Sequence, residues 1–155
     1  MELREPYKHI DRTVEMLREQ VIESIPYAYA QCPKFRKPEQ LFKWLKSQIR
    51  YKNDPPGYEL IQSMDTLFTD WRHRSGIRYR VGEGDCDCFT VTALACMYVQ
   101  GWDNFGIVLC GRSKKAPVHI YAYIKDENKI KPFDLTAPYY GVNRPYKYIQ
   151  LIPQK

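Results

Sequence analysis

The sequence predicts an α+β protein in which helices come first and an antiparallel sheet follows. Three observations carry that expectation. Before position 50 apolar residues recur at helical spacing, with Ile10, Val14, Leu17, Val21 and Ile25 in one stripe and Leu41, Trp44, Leu45 and Ile49 in another. Residues 86–99 are then apolar on nearly every side, as in a helix enclosed by its own domain. Beyond Gly101 the pattern changes to short apolar runs and strict alternation, the texture of strands. Helices followed by strands of this kind spell α+β architecture.

Taken in order, the first stripe predicts a helix over 8–25 that stops at Pro26. A tyrosine-bearing loop over 26–37 follows, ending in the basic group Lys34, Arg36 and Lys37. Pro38-Glu39 is a good helix opening, and the second stripe runs to about residue 50. Asp54-Pro55-Pro56-Gly57 is a firm break. A weaker helical stretch covers part of 58–72, and the polar segment 72–83 is expected to be irregular. Gly82, Gly84 and Asp85 supply a turn and an N-cap, so the buried helix should open at or just before Cys86. Four strands are expected, over 105–111, 117–125, 129–135 and 146–152, with a turn at Asp126-Glu127-Asn128.

The chain has 155 residues, which suits one domain (1–155) with a real core. Thirteen tyrosines in a composition 44% hydrophobic argue against disorder over most of its length. The net charge of +6 is compatible with acidic partners. The basic residues are scattered, however, with no arginine-rich helix or RNA-binding aromatic motif, so a nucleic-acid role is not expected. The amino terminus, Met-Glu-Leu-Arg-Glu-Pro, is not a signal peptide, and the one long apolar segment is too short to span a bilayer. Five cysteines without an export signal point to reduced thiols in a cytoplasm. No membrane partner, cofactor or metal is expected.

One segment carries chemistry. A cysteine in the first turn of a helix sits among unpaired backbone N–H groups at the positive end of the dipole, which favours the thiolate. Cys86 has that place. Downstream, a two-residue loop at Asp126-Glu127 would pair Lys125 with Asn128 and set His119 opposite Asp134. A shift of two places keeps the two as diagonal neighbours, whereas a shift of one turns their side chains apart. A thiol, an imidazole and a carboxylate together are the parts of a nucleophilic site: the histidine moves the thiol proton and the carboxylate fixes its tautomer. Backbone N–H groups at the helix start can hold an oxyanion.

Gly84-Asp85-Cys86-Asp87-Cys88-Phe89 at a helix opening resembles the Gly-Asp-Cys-Glu/Asp-Asp-Phe/Tyr signature of the transglutaminase-like superfamily, a papain-related group of cysteine enzymes. The order of cysteine, histidine on a strand and aspartate on the next is similar too. Leu41 to Tyr51 followed by Gln62-Ser63 resembles the helix, tyrosine and glutamine-serine segment that often precedes the signature. The likeness covers roughly 38–137, leaving 1–37 as an N-terminal helical extension. It implies Cys86 as nucleophile, His119 as base and acid, and Asp134 as orienter. It also implies a side chain near the oxyanion, for which Tyr51 or Trp71 is the candidate, while Asp87 and Tyr121 are candidates for the cleft. Two departures are visible: Cys88 stands where a second acid is usual, and His119-Ile120-Tyr121 replaces the frequent His-Ala-Trp.

The expected activity is acyl transfer from a protein or peptide amide, whether peptide or isopeptide. Hydrolysis is preferred over transfer to an amine because water is always at hand. Three rivals stand beside it. One is a catalytically silent module of the same fold, used for binding or assembly in a bacterial or phage particle. A second is a Cys3His zinc site from Cys86, Cys88, Cys110 and His119, against which the short Cys-x-Cys spacing counts. The third is a basic nucleic-acid-binding domain. Asp85 and Asp87 are read as simple helix caps in preference to catalytic groups, and His9 and His73 as solvated side chains.

Overall fold

A computed structural model describes residues 2–4, 10–51, 59–68, 71–74, 77–80, 82–111, 117–143, 146 and 148–153. After a short strand β1 (Glu2–Arg4), the first apolar stripe folds as α1 (Ile10–Gln31). This helix runs six residues further than the stripe predicts and carries Pro26 inside it. A proline in a helix interior costs about 3 kcal/mol through its missing N–H and its ring clash. Packing offsets that cost: Ala28 is fully buried, and Tyr27 stacks on Phe68 with ring centroids 6.2 Å apart. The loop expected over 26–37 is therefore confined to the residues after Gln31, and Tyr27 and Tyr29 are helical. His9 lies outside the described residues.

The second stripe folds as α2 (Pro38–Gln48), which hands over to the short strand β2 (Ile49–Tyr51). β3 (Glu59–Ile61) pairs antiparallel with β1. Only the middle of the weak helical stretch is helical, as α3 (Met64–Phe68), whose first N–H is taken by the buried Ser24 hydroxyl of α1 at 2.7 Å. The segment expected to be irregular is instead a hairpin of β4 (Trp71–Arg74) and β5 (Ile77–Arg80), followed by β6 (Gly82–Gly84). Ile77-Arg78-Tyr79-Arg80 alternates apolar with basic residues, a strand pattern that the overall polar composition of the segment conceals. β6 runs parallel to β2, with Tyr51 opposite Gly84.

The helix at the centre, α4 (Cys86–Gln100), begins where its N-cap predicts: Asp85 Oδ1 accepts the N–H of Asp87 at 3.2 Å. It ends at Gly101, whose φ of 80° suits a residue without Cβ and lets its N–H reach the Tyr98 carbonyl at 3.0 Å. Between the caps nearly every side chain is buried, against α1 and α3 on one side and the sheet on the other. Lys34 Nζ donates to the Val99 carbonyl near its end, and the Gln100 amide holds Phe35 N and the Pro33 carbonyl. These bonds tie the loop after α1 to the C-terminus of α4.

Four antiparallel strands follow: β7 (Phe105–Gly111), β8 (Pro117–Asp126), β9 (Lys129–Phe133) and β10 (Tyr148–Pro153), in the order β10-β7-β8-β9. β7 is buried along its whole length because both its faces are covered. Ile107 and Leu109 enter the main helical core, while Val108 and Cys110 pack with Tyr121 and Tyr123 on the other face. That explains an apolar run without alternation. A Cβ at Gly106 would strike the Ile152 carbonyl of β10, so only glycine admits this close pairing. Along β8 Ile120, Ala122 and Ile124 face the helices, and His119, Tyr121 and Tyr123 alternate with them.

The β8–β9 loop is Glu127-Asn128, not Asp126-Glu127: both have positive φ, 52° and 65°, and Asp126 pairs with Lys129. Such a pair makes the right-handed hairpin turn that matches strand twist. The register is thus displaced two places from the one that sets His119 directly opposite Asp134. Among the described residues no helix is long and apolar enough to cross a membrane.

Candidate active site

Cys86 stands at the first position of α4, with its side chain partly exposed and packed against the rim of the main core. Its carbonyl accepts the Thr90 hydroxyl at 2.6 Å, and the same hydroxyl lies 3.4 Å from the carbonyl of Ile120. One turn of helix therefore links Cys86 to the residue next to His119. Cys88 answers the question raised by its neighbourhood in the signature. It is fully buried, and burial, with the Asp85 charge behind it, pushes its thiol well above the ordinary range. A proton held that firmly leaves Cys88 a core side chain.

A stability effect follows from that shift. The folded Cys88 thiol keeps its proton where an unfolded cysteine loses it, so its contribution is complete below about pH 8.5 and declines above it by up to about 1.4 kcal/mol per pH unit. Urea unfolding under reducing conditions should show stability falling between pH 8 and pH 10. The fall should be shallower by about one proton in Cys88→Ala. Equal slopes in the two proteins would contradict the assignment.

On the sheet, the displaced register still brings the imidazole to the carboxylate. Asp134 follows the last residue of β9, and His119 Nε2 lies 2.7 Å from its Oδ2. The carboxylate is 2% exposed and the imidazole 13%. Burial of a carboxylate requires donors, and the chain supplies them locally: Thr136 N–H donates to Asp134 Oδ1 at 3.0 Å and its hydroxyl donates to the same oxygen at 2.6 Å. Thr136 Oγ1 also lies 3.5 Å from His119 Nε2. With Nε2 committed to Asp134, Nδ1 is the nitrogen left to exchange a proton with a partner.

His119 shares its sheet face with Tyr121, whose ring is 5.3 Å away, and that face is opposite the one on which α4 packs. It lies near the start of β8, however, and lines a cavity of about 420 Å³ together with Lys46, Ile49, Tyr51, Phe89, Leu135, Thr136 and Tyr146. Phe89 belongs to α4 and follows Cys86 by three residues, the spacing that places two side chains on one helix face. The cavity therefore reaches α4 at Phe89, whereas Cys86 itself is not among its lining residues.

The remaining candidates divide. Tyr51 lines this cavity, half exposed, with its ring edge-on to Phe89 at 6.2 Å, and the ladder to β6 fixes it beside the start of α4. The side chain of Trp71 lies outside the described residues, and so does that of His73. Asp87 is 2% exposed, with Oδ1 3.9 Å from the Cys86 sulfur, and Asp85 is the N-cap. Tyr121 is buried in the second sheet face and orients the His119 ring rather than lining the cavity. The Cys3His set is not assembled. Cys88 lies in the helical core and Cys110 across the sheet from it, and no group of three potential ligands gathers among the described residues.

Two residues of the site were not anticipated. Thr136 was findable, since an aspartate followed two places on by threonine is the composition of a local side-chain-to-backbone turn. Lys46 had no signal: on a surface helix it reads as solvated charge, and only the fold brings it to the cavity. Searches of family models, curated sequences and solved structures find no match to this chain.

Proposed function

We propose that this chain is a cysteine-dependent acyl-transfer enzyme with a Cys86-His119-Asp134 triad on a transglutaminase-like core. The observation that carries the reading is the 2.7 Å pairing of His119 with a buried, doubly donated Asp134 at a cavity shared with the first turn of the Cys86 helix. His119 Nδ1 takes the Cys86 proton, and the sulfur attacks a substrate amide carbonyl. The tetrahedral oxyanion is met by backbone N–H groups of the helix start, with Tyr51 the side chain placed to assist. Collapse expels the amine, which takes its proton from the imidazolium, and leaves a thioester. Water, activated by the same imidazole, then releases the acid, giving net hydrolysis of a protein or peptide amide; an amine in place of water gives transfer.

One observation favours the second reading, a silent module for binding or assembly. The Asp87 carboxylate 3.9 Å from the Cys86 sulfur works against thiolate formation, and the helix dipole and imidazole must outweigh it. Alkylation separates the two. With iodoacetamide near pH 7 and peptide mapping, Cys86 should label first, at least about tenfold faster than an ordinary thiol, and His119→Ala should remove that lead. Cys32 should come second, because the hydrogen bond from Cys96 lowers its thiol and Gln100 Nε2 at 3.3 Å adds to this, although burial opposes both. Slow, uniform labelling of all five cysteines would leave the silent module standing.

A further inference from the structure

We infer that the cavity beside His119 is a subsite for an acidic side chain of a peptide substrate, and that Lys46 is the residue that reads its carboxylate. The inference rests on the acyl-transfer reading and adds a substrate class to it. Ile49, Phe89, Leu135 and Tyr146 give the cavity apolar walls, and its volume of about 420 Å³ lies within the ligand-pocket range of roughly 300–1,000 Å³. Among the described lining residues Lys46 is the one with a permanent charge. Its Nζ donates to the Leu135 carbonyl at 3.0 Å, which uses one of an ammonium's three donors.

Among the described residues no carboxylate pairs with Lys46. The nearest acid along α2, Glu39, is 3.4 Å from Lys43, and Asp134 is occupied by His119 and Thr136. A half-buried ammonium with two donors to spare, on a wall that sets Ile49, Phe89 and Leu135 beside the polar groups of Tyr51, His119 and Thr136, fits an aliphatic stem ending in a carboxylate. The last turn of α2 and the Leu135 carbonyl both favour a cation at this place and hold it there before any ligand arrives. That pre-positioning lowers the ordering cost of binding. The net charge of +6 adds long-range attraction for acidic chains.

The test is binding to Cys86→Ala protein, which cannot turn a substrate over, using short capped peptides that differ at one residue: Glu, Gln, Leu or Lys. NMR titration that follows the His119 and Lys46 side-chain signals reports both affinity and place. The Glu peptide should bind about tenfold more tightly than its Gln counterpart, with the gap narrowing as salt is raised. Lys46→Gln keeps a donor for the Leu135 carbonyl but removes the charge, and should close the gap. Lys46→Glu should turn the preference toward the Lys peptide. Equal affinity for Glu and Gln peptides, a Glu preference that survives Lys46→Gln, or no binding by any of the four overturns the subsite. None of these outcomes bears on alkylation of Cys86, so loss of the subsite and loss of the triad are separately visible.

Discussion

Cys86→Ala should lower turnover of an activated ester such as p-nitrophenyl acetate, or of any peptide substrate found, by about 10⁴-fold or more while leaving the fold intact. The size of the loss follows from the absence of an understudy. Cys88 is fully buried with its thiol pushed up by desolvation, and Cys110 sits in the second face of the sheet behind Tyr121. Neither can move to the cavity without unpacking a core whose large side chains each contribute about 1.5–3 kcal/mol. Cys86, by contrast, is at the rim, so exchanging it for alanine removes little buried surface. The measurement is burst and steady-state kinetics with mass detection of an acyl-protein. A burst that persists in Cys86→Ala would move the nucleophile elsewhere and end the triad.

Asp134→Asn should lower the same turnover by about 10³–10⁴-fold without unfolding the chain, and the reason lies in Thr136. Its N–H and hydroxyl both donate to Oδ1, at 3.0 and 2.6 Å, so an asparagine here must keep its oxygen at that position. The amide NH₂ then faces His119 Nε2 and donates to it, which forces the imidazole proton onto Nδ1, the nitrogen needed to accept from the thiol. Ring nitrogen-15 shifts of His119 read the tautomer directly and should switch in the variant. Thr136→Val removes the hydroxyl donor and should partly restore activity in the Asp134→Asn background, because the amide is then less strongly held in one orientation. A purely structural role for Asp134 would lower stability and leave the tautomer alone. Asp134→Ala is the harsher change, since it removes the acceptor of both Thr136 donors and the partner of His119 and leaves a void where a buried side chain stood.

The two effects also weigh the silent-module reading. A scaffold has no use for a carboxylate satisfied by three donors and an imidazole presented to a cavity. Such an arrangement costs desolvation that an apolar pair of similar shape would not. The acidic neighbours of Cys86 are the counterweight, and reactivity of that one thiol decides which set of charges prevails.

Where information is local in the chain, the sequence alone was enough. Asp85 announces the start of α4 and Gly101 its end because capping involves residues within one turn of each other. The strand at 105–111 is legible as an apolar run, and that at 117–126 as an alternation, because the pleat repeats every two residues. His119 and Asp134 could be named as neighbours for the same reason, since a hairpin is a short-range object. Tertiary structure decided what depends on partners far along the chain. Pro26 stays helical because Tyr27 and Ala28 find burial against residues that the local pattern cannot see. The hairpin register was settled by two residues with positive φ, a two-place displacement that the alternation tolerates without complaint. Lys46 became part of the site only when α2 was laid against the turn after β9, because a charge acquires meaning from what surrounds it in space.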